Sequence, residues 1–205
     1  MKLTASLFSY LVISSALFLI SCSSEPDNPL NEEVTIGSQT WMTQNLNVDR
    51  FRNGDLIPEA SDRDAWREAG ENRDPAWTYY NETSSFGERH GKLYNWYALN
   101  DPRGLAPEGW RIPDDEDWAL LTENAGGKHI AFSELTQMSG FALQKGGYRG
   151  LNEVFNGMDD TIYLWSSSEI GENHASFRYL SRIDDSFSDG SLLKSSGMYV
   201  RVLRK

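Results

Sequence analysis

The sequence predicts an α+β domain, with two main helices in the first half of the chain and short antiparallel strands in the second. Apolar residues recur at helical spacing in two segments, residues 91–100 and 114–125. Apolar segments of strand length follow, and the turn pairs Asn156-Gly157 and Asp189-Gly190 separate them. This order is typical of α+β proteins, and a chain of 205 residues is long enough for one domain with a substantial core.

The chain begins with a segment, residues 1–21, that has the pattern of a signal peptide. Lys2 supplies a positive start, and the uncharged apolar run of residues 6–20 is short for a membrane-spanning helix. Its end, Leu19-Ile20-Ser21-Cys22, resembles a lipobox, with an aliphatic residue three places before the cysteine and a small residue directly before it. The resemblance implies cleavage before Cys22 and lipidation of its sulfur. The alternatives are an ordinary cleaved signal and an uncleaved anchor helix.

Residues 22–32 then form a polar segment with two prolines, which is typical of an extended tether. Two or three acyl chains on Cys22 would make the attachment effectively permanent, whereas one chain anchors only marginally. Ser24 occupies the second position after the cysteine, where an aspartate would resemble an inner-membrane retention signal. We therefore expect the outer membrane, with the domain of residues 33–205 facing either the periplasm or the cell surface.

The domain itself begins with a hairpin, for which residues 34–36 and 39–42 are the predicted strands around Gly37-Ser38. Residues 49–76 are polar and charged, and we expect irregular structure there. Residues 91–100 form the first predicted helix, with Leu93, Trp96 and Tyr97 on one face.

The second predicted helix begins at Asp114, whose carboxylate can cap the free amides of the first turn. Its apolar face contains Trp118, Leu121 and Ala125, and Gly126-Gly127 ends it. A short third helix containing Phe132, Leu135 and Met138 is possible on the same grounds. The predicted strands after it are residues 141–144, 162–166, 175–180 and 198–203.

Composition excludes several classes of function. The net charge of −11 argues against nucleic-acid binding and against electrostatic adhesion to anionic lipid. Cys22 is the only cysteine, so the domain has neither a disulfide of its own nor a thiol nucleophile nor a cysteine metal site. No dinucleotide, phosphate-binding or hydrolase motif is present, and the three histidines are scattered.

Several short patterns have two interpretations. The acidic run from Asp114 to Asp117 is interpreted as helix capping rather than as a metal site or an acid/base pair. Residues 184–190 resemble a calcium loop at first sight, but Phe187 takes a ligand position, so a β-turn is favoured. Asp160-Thr161-Ile162 resembles a bacterial O-glycosylation acceptor, although matches of three residues are common.

One aromatic cluster is a candidate ligand site. Trp77, Tyr79 and Tyr80 lie close together in a polar part of the sequence. If they occupy an exposed loop, they form a flat platform on which sugar rings or a peptide can stack. The alternative is that these rings fold back onto the core.

Six segments in order resemble one family, the Fibrobacter succinogenes major paralogous domain, over about residues 33–205. These segments are 41–47 (WMTQNLN), 92–98 (KLYNWYA), 106–113 (APEGWRIP), 146–149 (GGYR), 164–169 (LWSSSE) and 197–202 (GMYVRV). The resemblance implies structural roles for the signature residues Trp96, Trp110, Arg111, Pro113, Trp118, Tyr148, Arg149 and Trp165. It also implies an exported bacterial lipoprotein without an established activity.

The segment from Gly109 to Trp118 is also similar to a signature of the formylglycine-generating sulfatase-modifying domain. That similarity implies a C-type-lectin-like fold, in which two main helices precede a twisted antiparallel sheet with long loops. The cysteines of those oxidases are absent here, so the oxidase activity does not carry over, and the absence of the calcium-binding tripeptides of lectins argues against calcium-dependent lectin activity. Val202 replaces a cysteine that is usual in the family.

We therefore predict a non-enzymatic binding domain on a lipid anchor, with a glycan or a protein as its ligand. One alternative is a carbohydrate-active enzyme that uses two carboxylates, one of which would have a raised pKa. Another is a structural component of the cell envelope. We predict no cofactor and no nucleic-acid partner, and a requirement for calcium stays open because no motif indicates it.

Overall fold

The computed structural model describes residues 32–137, 141, 143–150, 152, 154–181 and 186–205. These residues form helices and three antiparallel or mixed sheets, which confirms the α+β class. The predicted signal peptide, Cys22 and nearly all of the tether lie outside the described residues. Within the described part of the chain, no helix has the length and apolar character needed to cross a bilayer.

The first sheet joins the two ends of the domain. It contains β1 (Glu33–Ile36), β2 (Gln39–Met42), β11 (Leu203–Arg204) and β5 (Trp110–Arg111), in the spatial order β1-β2-β11-β5. The predicted hairpin is confirmed, because β1 and β2 pair antiparallel around Gly37. Gly37 has a φ of 61°, which a side chain disfavours and a glycine tolerates.

Helix α1 (Arg63–Asn72) corrects the expectation that residues 49–76 are irregular. The Asp62 carboxylate caps it by accepting from the Ala65 amide, and Arg73 ends it in the left-handed conformation. Trp66 is the one fully buried residue of this helix, and its indole donates to the Ser195 carbonyl at 2.9 Å. Ala65 and Ala69 are partly buried beside it, so the apolar face of α1 consists of one large and two small side chains in an otherwise polar segment.

The middle of the chain consists of short elements. They are β3 (Trp77–Thr78), a 3-10 helix (Tyr80–Glu82), α2 (Ser84–His90), β4 (Leu93–Tyr94) and α3 (Trp96–Leu99). The predicted helix over 91–100 is therefore too long, because Leu93 and Tyr94 pair with β3 instead. The Asn95 side chain accepts from the Ala98 amide, so the helix begins only after this residue.

Helix α4 (Asp115–Asn124) confirms the predicted capped helix, and α5 (Lys128–Gln137) confirms the third. Asp114 and Asp117 form a reciprocal capping box, which confirms the capping interpretation of the acidic run. Trp118 and Leu121 are fully buried, as is Leu135 of α5. The side chain of Phe132 and the whole of Met138 lie outside the described residues.

The second sheet has five strands in the order β10-β9-β8-β6-β7. They are β6 (Gly146–Arg149), β7 (Phe155–Met158), β8 (Thr161–Ile170), β9 (His174–Ser181) and β10 (Ser186–Leu193). The strands predicted at 162–166 and 175–180 are confirmed within β8 and β9. The strand predicted at 141–144 is wrong, since Phe141, Leu143 and Gln144 are not in a strand.

Both predicted turn pairs of the second half are wrong. Asn156-Gly157 lies within β7, and Asp189-Gly190 lies within β10. Gly190 pairs with Phe177 in the register, and a Cβ at Gly190 would lie 2.6 Å from the Phe177 ring. Glycine is present in this strand because a neighbouring ring needs the space, and not because the chain turns.

The segment of residues 197–203 passes through the centre of the molecule and connects both sheets. Isolated bridges pair Met198 with Tyr94 and Tyr199 with Leu164, and the Met42 amide donates to the Val202 carbonyl at 3.0 Å. Only Leu203–Arg204 is a strand, so the strand predicted at 198–203 is corrected to a buried connecting segment.

Candidate functional site

Three half-exposed tyrosines form a continuous aromatic surface across the second sheet. Tyr148 of β6, Tyr163 of β8 and Tyr179 of β9 lie side by side, and we call this set the tyrosine face. The ring centroids of Tyr148 and Tyr163 are 4.1 Å apart, and those of Tyr163 and Tyr179 are 5.9 Å apart with an interplanar angle of 19°.

Both sides of this sheet carry core residues, and the tyrosines share their side with the buried Trp165 and Phe177. Tyr163 and Tyr179 are directly paired in the β8–β9 register, so their side chains share a face. Their neighbours Ile162, Leu164 and Leu180 turn to the opposite side, where they are fully buried. The tyrosines therefore lie at the edge of a core cluster, partly buried against it and partly open to solvent.

The tyrosine face is in direct contact with buried aromatic residues of the core. Tyr163 also contacts the buried Phe177, with ring centroids 5.6 Å apart, and Phe177 pairs with the fully buried Trp165. This packing against buried rings fixes the tyrosines, so a ligand would meet a rigid surface. Burial, and then the neighbouring phenols of Tyr148 and Tyr179, raise the pKa of Tyr163, which keeps its hydroxyl protonated at neutral pH.

Small polar residues border the tyrosine face. Ser188 pairs with Tyr179 and Asn156 pairs with Tyr148, so each points to the same side as its tyrosine. The hydroxyls of Ser186 and Ser188 lie 3.1 Å apart. Gly150 leaves room for the ring of Tyr148, since a Cβ there would lie 2.9 Å from it. The rings of Tyr148 and Tyr163 pack against each other, so a ligand can contact only the outer parts of this row and hydrogen-bond to the surrounding hydroxyl and amide groups.

The structure places the predicted platform of Trp77, Tyr79 and Tyr80 differently. Trp77 is 6% exposed and donates through its indole to the Ile57 carbonyl at 2.9 Å. Tyr80 is 5% exposed and packs against Phe86 and Phe155. Only Tyr79 is half-exposed, so the three rings do not form the flat exposed platform that the sequence suggested. Their side chains are large and apolar, and the core holds two of them.

The four tryptophans among the predicted signature residues all lie in the core. They are Trp96, Trp110, Trp118 and Trp165. Trp96 donates to the Ser166 carbonyl at 3.0 Å, and Trp165 donates to the Tyr94 carbonyl at 2.8 Å. These two bonds connect β8 to the segment around β4 and α3.

The remaining signature residues surround the start of α4 and the end of β6. Arg111 forms a two-pronged ion pair with Asp117, and the buried Pro113 accepts at its carbonyl from the Ser167 amide at 2.8 Å. Arg149 is fully buried, with Glu82 at 3.2 Å. Tyr148 is the one signature residue that contributes to the tyrosine face.

Among the described residues, no group of three histidine, cysteine, aspartate or glutamate side chains is placed to hold an ion. Thr161, the predicted glycosylation acceptor, is half-buried at the start of β8.

A sequence model of one family, the Fibrobacter succinogenes major domain, matches residues 34–204. The chain belongs to this family. The match covers every helix and strand of the structure except the first residue of β1. Neither a curated protein nor a solved structure matches the chain.

Within this Fibrobacter succinogenes major domain, sequence reasoning missed Tyr163 and Tyr179. Both lie inside strands that were predicted correctly, and they alternate with the buried Ile162, Leu164 and Leu180. Trp165 and Phe177 lie on the same side as these tyrosines and are buried, so alternation alone does not indicate which residues of that side are exposed. The position of the two tyrosines beside Tyr148 depends on the pairing of β6 with β8, which no local pattern indicates.

Proposed function

We propose that this protein is an exported lipoprotein, anchored through Cys22, whose domain binds glycans at the tyrosine face without catalysing a reaction. The observation that carries the proposal is the row of three half-exposed, tightly packed tyrosine rings on adjacent strands. Aromatic rings held rigidly at a surface lose little conformational entropy when a ligand stacks on them.

A sugar suits this surface better than a purely apolar ligand does. The apolar face of a pyranose ring can stack on a tyrosine, while its hydroxyls need hydrogen-bonding partners. Ser188, Asn156 and the tyrosine hydroxyls supply such partners around the rings.

The lipid anchor remains a proposal that rests on the signal-like residues 1–21 and the lipobox before Cys22. Residues 22–32 span at most about 36 Å when fully extended, at about 3.3 Å per residue. A tether of this length keeps the domain close to its membrane. Ser24 favours the outer membrane, as part of the same proposal.

Two carboxylates with a shifted pKa, Asp101 and Glu172, are ion-pair partners of arginines. Hydrogen bonds from Arg103 lower the pKa of Asp101, and those from Arg73 lower the pKa of Glu172. A hydrolase with paired carboxylates instead needs one with a raised pKa, which acts as the acid. The C-type-lectin-like fold that the sequence implies is part of this proposal as well, and fold alone does not determine the ligand.

The experiment is a screen of the full chain in detergent against a panel of polysaccharides, with calcium and with a chelator. Tyr148→Ala combined with Tyr179→Ala removes the two outer rings of the tyrosine face. We expect binding of at least one polysaccharide, and we expect this double variant to lose most of it while it still unfolds in a single cooperative transition.

The matched control is Tyr97→Ala, which removes a half-buried tyrosine of α3 that is not part of the tyrosine face. It should leave binding unchanged. No binding by a folded protein, or equal binding by the double variant, contradicts the proposal and favours a protein ligand or the Tyr79 region. Binding that needs calcium would reveal a metal-assisted site.

A further inference from the structure

A polar cavity of about 450 Å³ lies on another part of the domain, between the chain that follows β2 and helix α2. Thr43, Asn45, His90, Gln144 and Arg201 are among the residues that line it. Its size is within the range of sites that hold small ligands. None of the tyrosine-face residues lines this cavity, so it is a separate site.

Arg201 is the unusual residue of this cavity. It is 1% exposed, although arginine is almost never fully buried without a partner of opposite charge. Its Nε donates to the Asn45 side-chain oxygen at 3.1 Å, and its Nη1 donates to the carbonyls of Met42 and Phe141 at 2.9 and 3.3 Å. Within the described part of the chain, no carboxylate pairs with it and Nη2 has no hydrogen-bond partner.

The surroundings of Arg201 do not neutralise its charge. Burial lowers its pKa to about 9, so the guanidinium is still protonated at neutral pH, although burial of its charge is unfavourable. Burial, and then the neighbouring Arg89, lower the pKa of His90. Glu88 and Arg89 both line the cavity from exposed positions on α2, and together they contribute no net charge.

We propose that this cavity binds a carboxylate group of a ligand, with the Nη2 edge of Arg201 as its main donor and Gln144 as a second donor at the entrance. A guanidinium that keeps one free edge is a good donor to a planar carboxylate oxygen. The anion supplies the charge that the protein itself does not supply. Asn45 positions Arg201, because its side chain accepts from Nε and donates to the His90 carbonyl at 2.9 Å.

The first measurement is isothermal titration of the full chain in detergent with sodium glucuronate. Glucose, which lacks the carboxylate, and sodium sulfate at equal ionic strength are the comparison probes. We expect saturable binding of glucuronate and none of glucose or sulfate. Equal binding of sulfate, or no binding of glucuronate, overturns the assignment of a carboxylate site.

Variants separate a binding role of Arg201 from a purely structural one. Gln144→Leu removes the exposed amide at the entrance and should weaken glucuronate binding at least fivefold with an unchanged melting temperature. Arg201→Lys keeps the positive charge but removes the planar set of guanidinium N–H donors, so it should abolish glucuronate binding. If Arg201→Lys does not fold, the Gln144→Leu result decides, and unchanged affinity in that variant overturns the proposal.

The tyrosine face provides the control that distinguishes the two sites. Tyr148→Ala with Tyr179→Ala should leave the affinity for glucuronate unchanged, because no tyrosine of that face lines the cavity. This inference therefore does not depend on glycan binding at the tyrosine face. Loss of glucuronate binding in that double variant would contradict a separate site.

Discussion

At the scale of single residues, the pair of Arg111 and Asp117 combines a helix cap with an ion pair. The Asp117 carboxylate accepts from the Arg111 guanidinium and from the Asp114 amide at 3.0 Å, while its own amide donates to the Asp114 side chain. Burial disfavours its charge, but these hydrogen bonds outweigh burial and lower the pKa of Asp117. One carboxylate thus fixes both the start of α4 and the end of β5.

Asp117→Asn should lower the free energy of unfolding by about 2 kcal/mol at pH 7, because it leaves Arg111 without its charged partner. A lowered pKa in the folded state stabilises the protein above the unfolded value of about 3.9 and loses this effect as the pH falls through the folded value. The difference between variant and wild type should therefore shrink in acid. Urea unfolding at pH 7 and below pH 3 measures it.

The exposed Glu116 of the same turn provides the control, as Glu116→Gln should change stability by less than about 0.5 kcal/mol. A pH-independent loss in Asp117→Asn would mean that the cap geometry, and not the charge, is what matters.

At the scale of elements, the sequence predicted those whose signals are local. Helix α4 was predicted because Asp114, Trp118 and Leu121 lie within one segment and carry both the cap and the buried face. Helix α1 was missed because its apolar face has only one large side chain, Trp66, beside two alanines, and the hydrogen-bond partner of Trp66, Ser195, lies far along the chain. The strand β10 was missed because its glycine resembles a turn.

Trp66→Ala should therefore strongly destabilise the folded protein, although α1 resembles a polar surface helix. The buried indole fills the space beneath α1, so its removal should cost about 3–5 kcal/mol. Trp66→Phe keeps an aromatic ring and loses the bond to Ser195, so it should cost clearly less. Thermal unfolding followed by circular dichroism measures both, and equal costs would show that the hydrogen bond dominates.

The candidate sites were less predictable than the elements. The tyrosine face needs the pairing of three strands, and the carboxylate cavity needs Arg201 to meet residues that follow β2 more than a hundred positions earlier. The spacing of residues in the sequence does not indicate such long-range contacts. The aromatic cluster around Trp77, which the sequence suggested as a ligand site, is apolar enough to be largely buried in the core.

At the scale of the whole molecule, the buried segment of residues 197–203 holds the two sheets together. It pairs with β4, β6 and β8 before β11 joins β2 and β5 in the first sheet. The domain therefore cannot complete either side of its core until its last residues are present. Such long-range closure predicts a single cooperative unfolding transition.

Removal of residues 198–205 should abolish that transition, because it takes away the fully buried Met198, Tyr199 and Val200 together. Removal of the exposed Lys205 alone should have little effect. Calorimetry distinguishes the two truncations, and a cooperative transition in the longer deletion would contradict this role.

The central claim is that the tyrosine face is the ligand-binding surface, and the affinity of Tyr163 variants for the best-binding polysaccharide tests it most directly. Tyr163 is the middle ring and contacts both others. We predict that Tyr163→Ala weakens binding at least tenfold, about 1.4 kcal/mol, while Tyr163→Phe stays close to wild type because the ring is kept. Unchanged affinity in Tyr163→Ala, with the fold intact, would contradict the account.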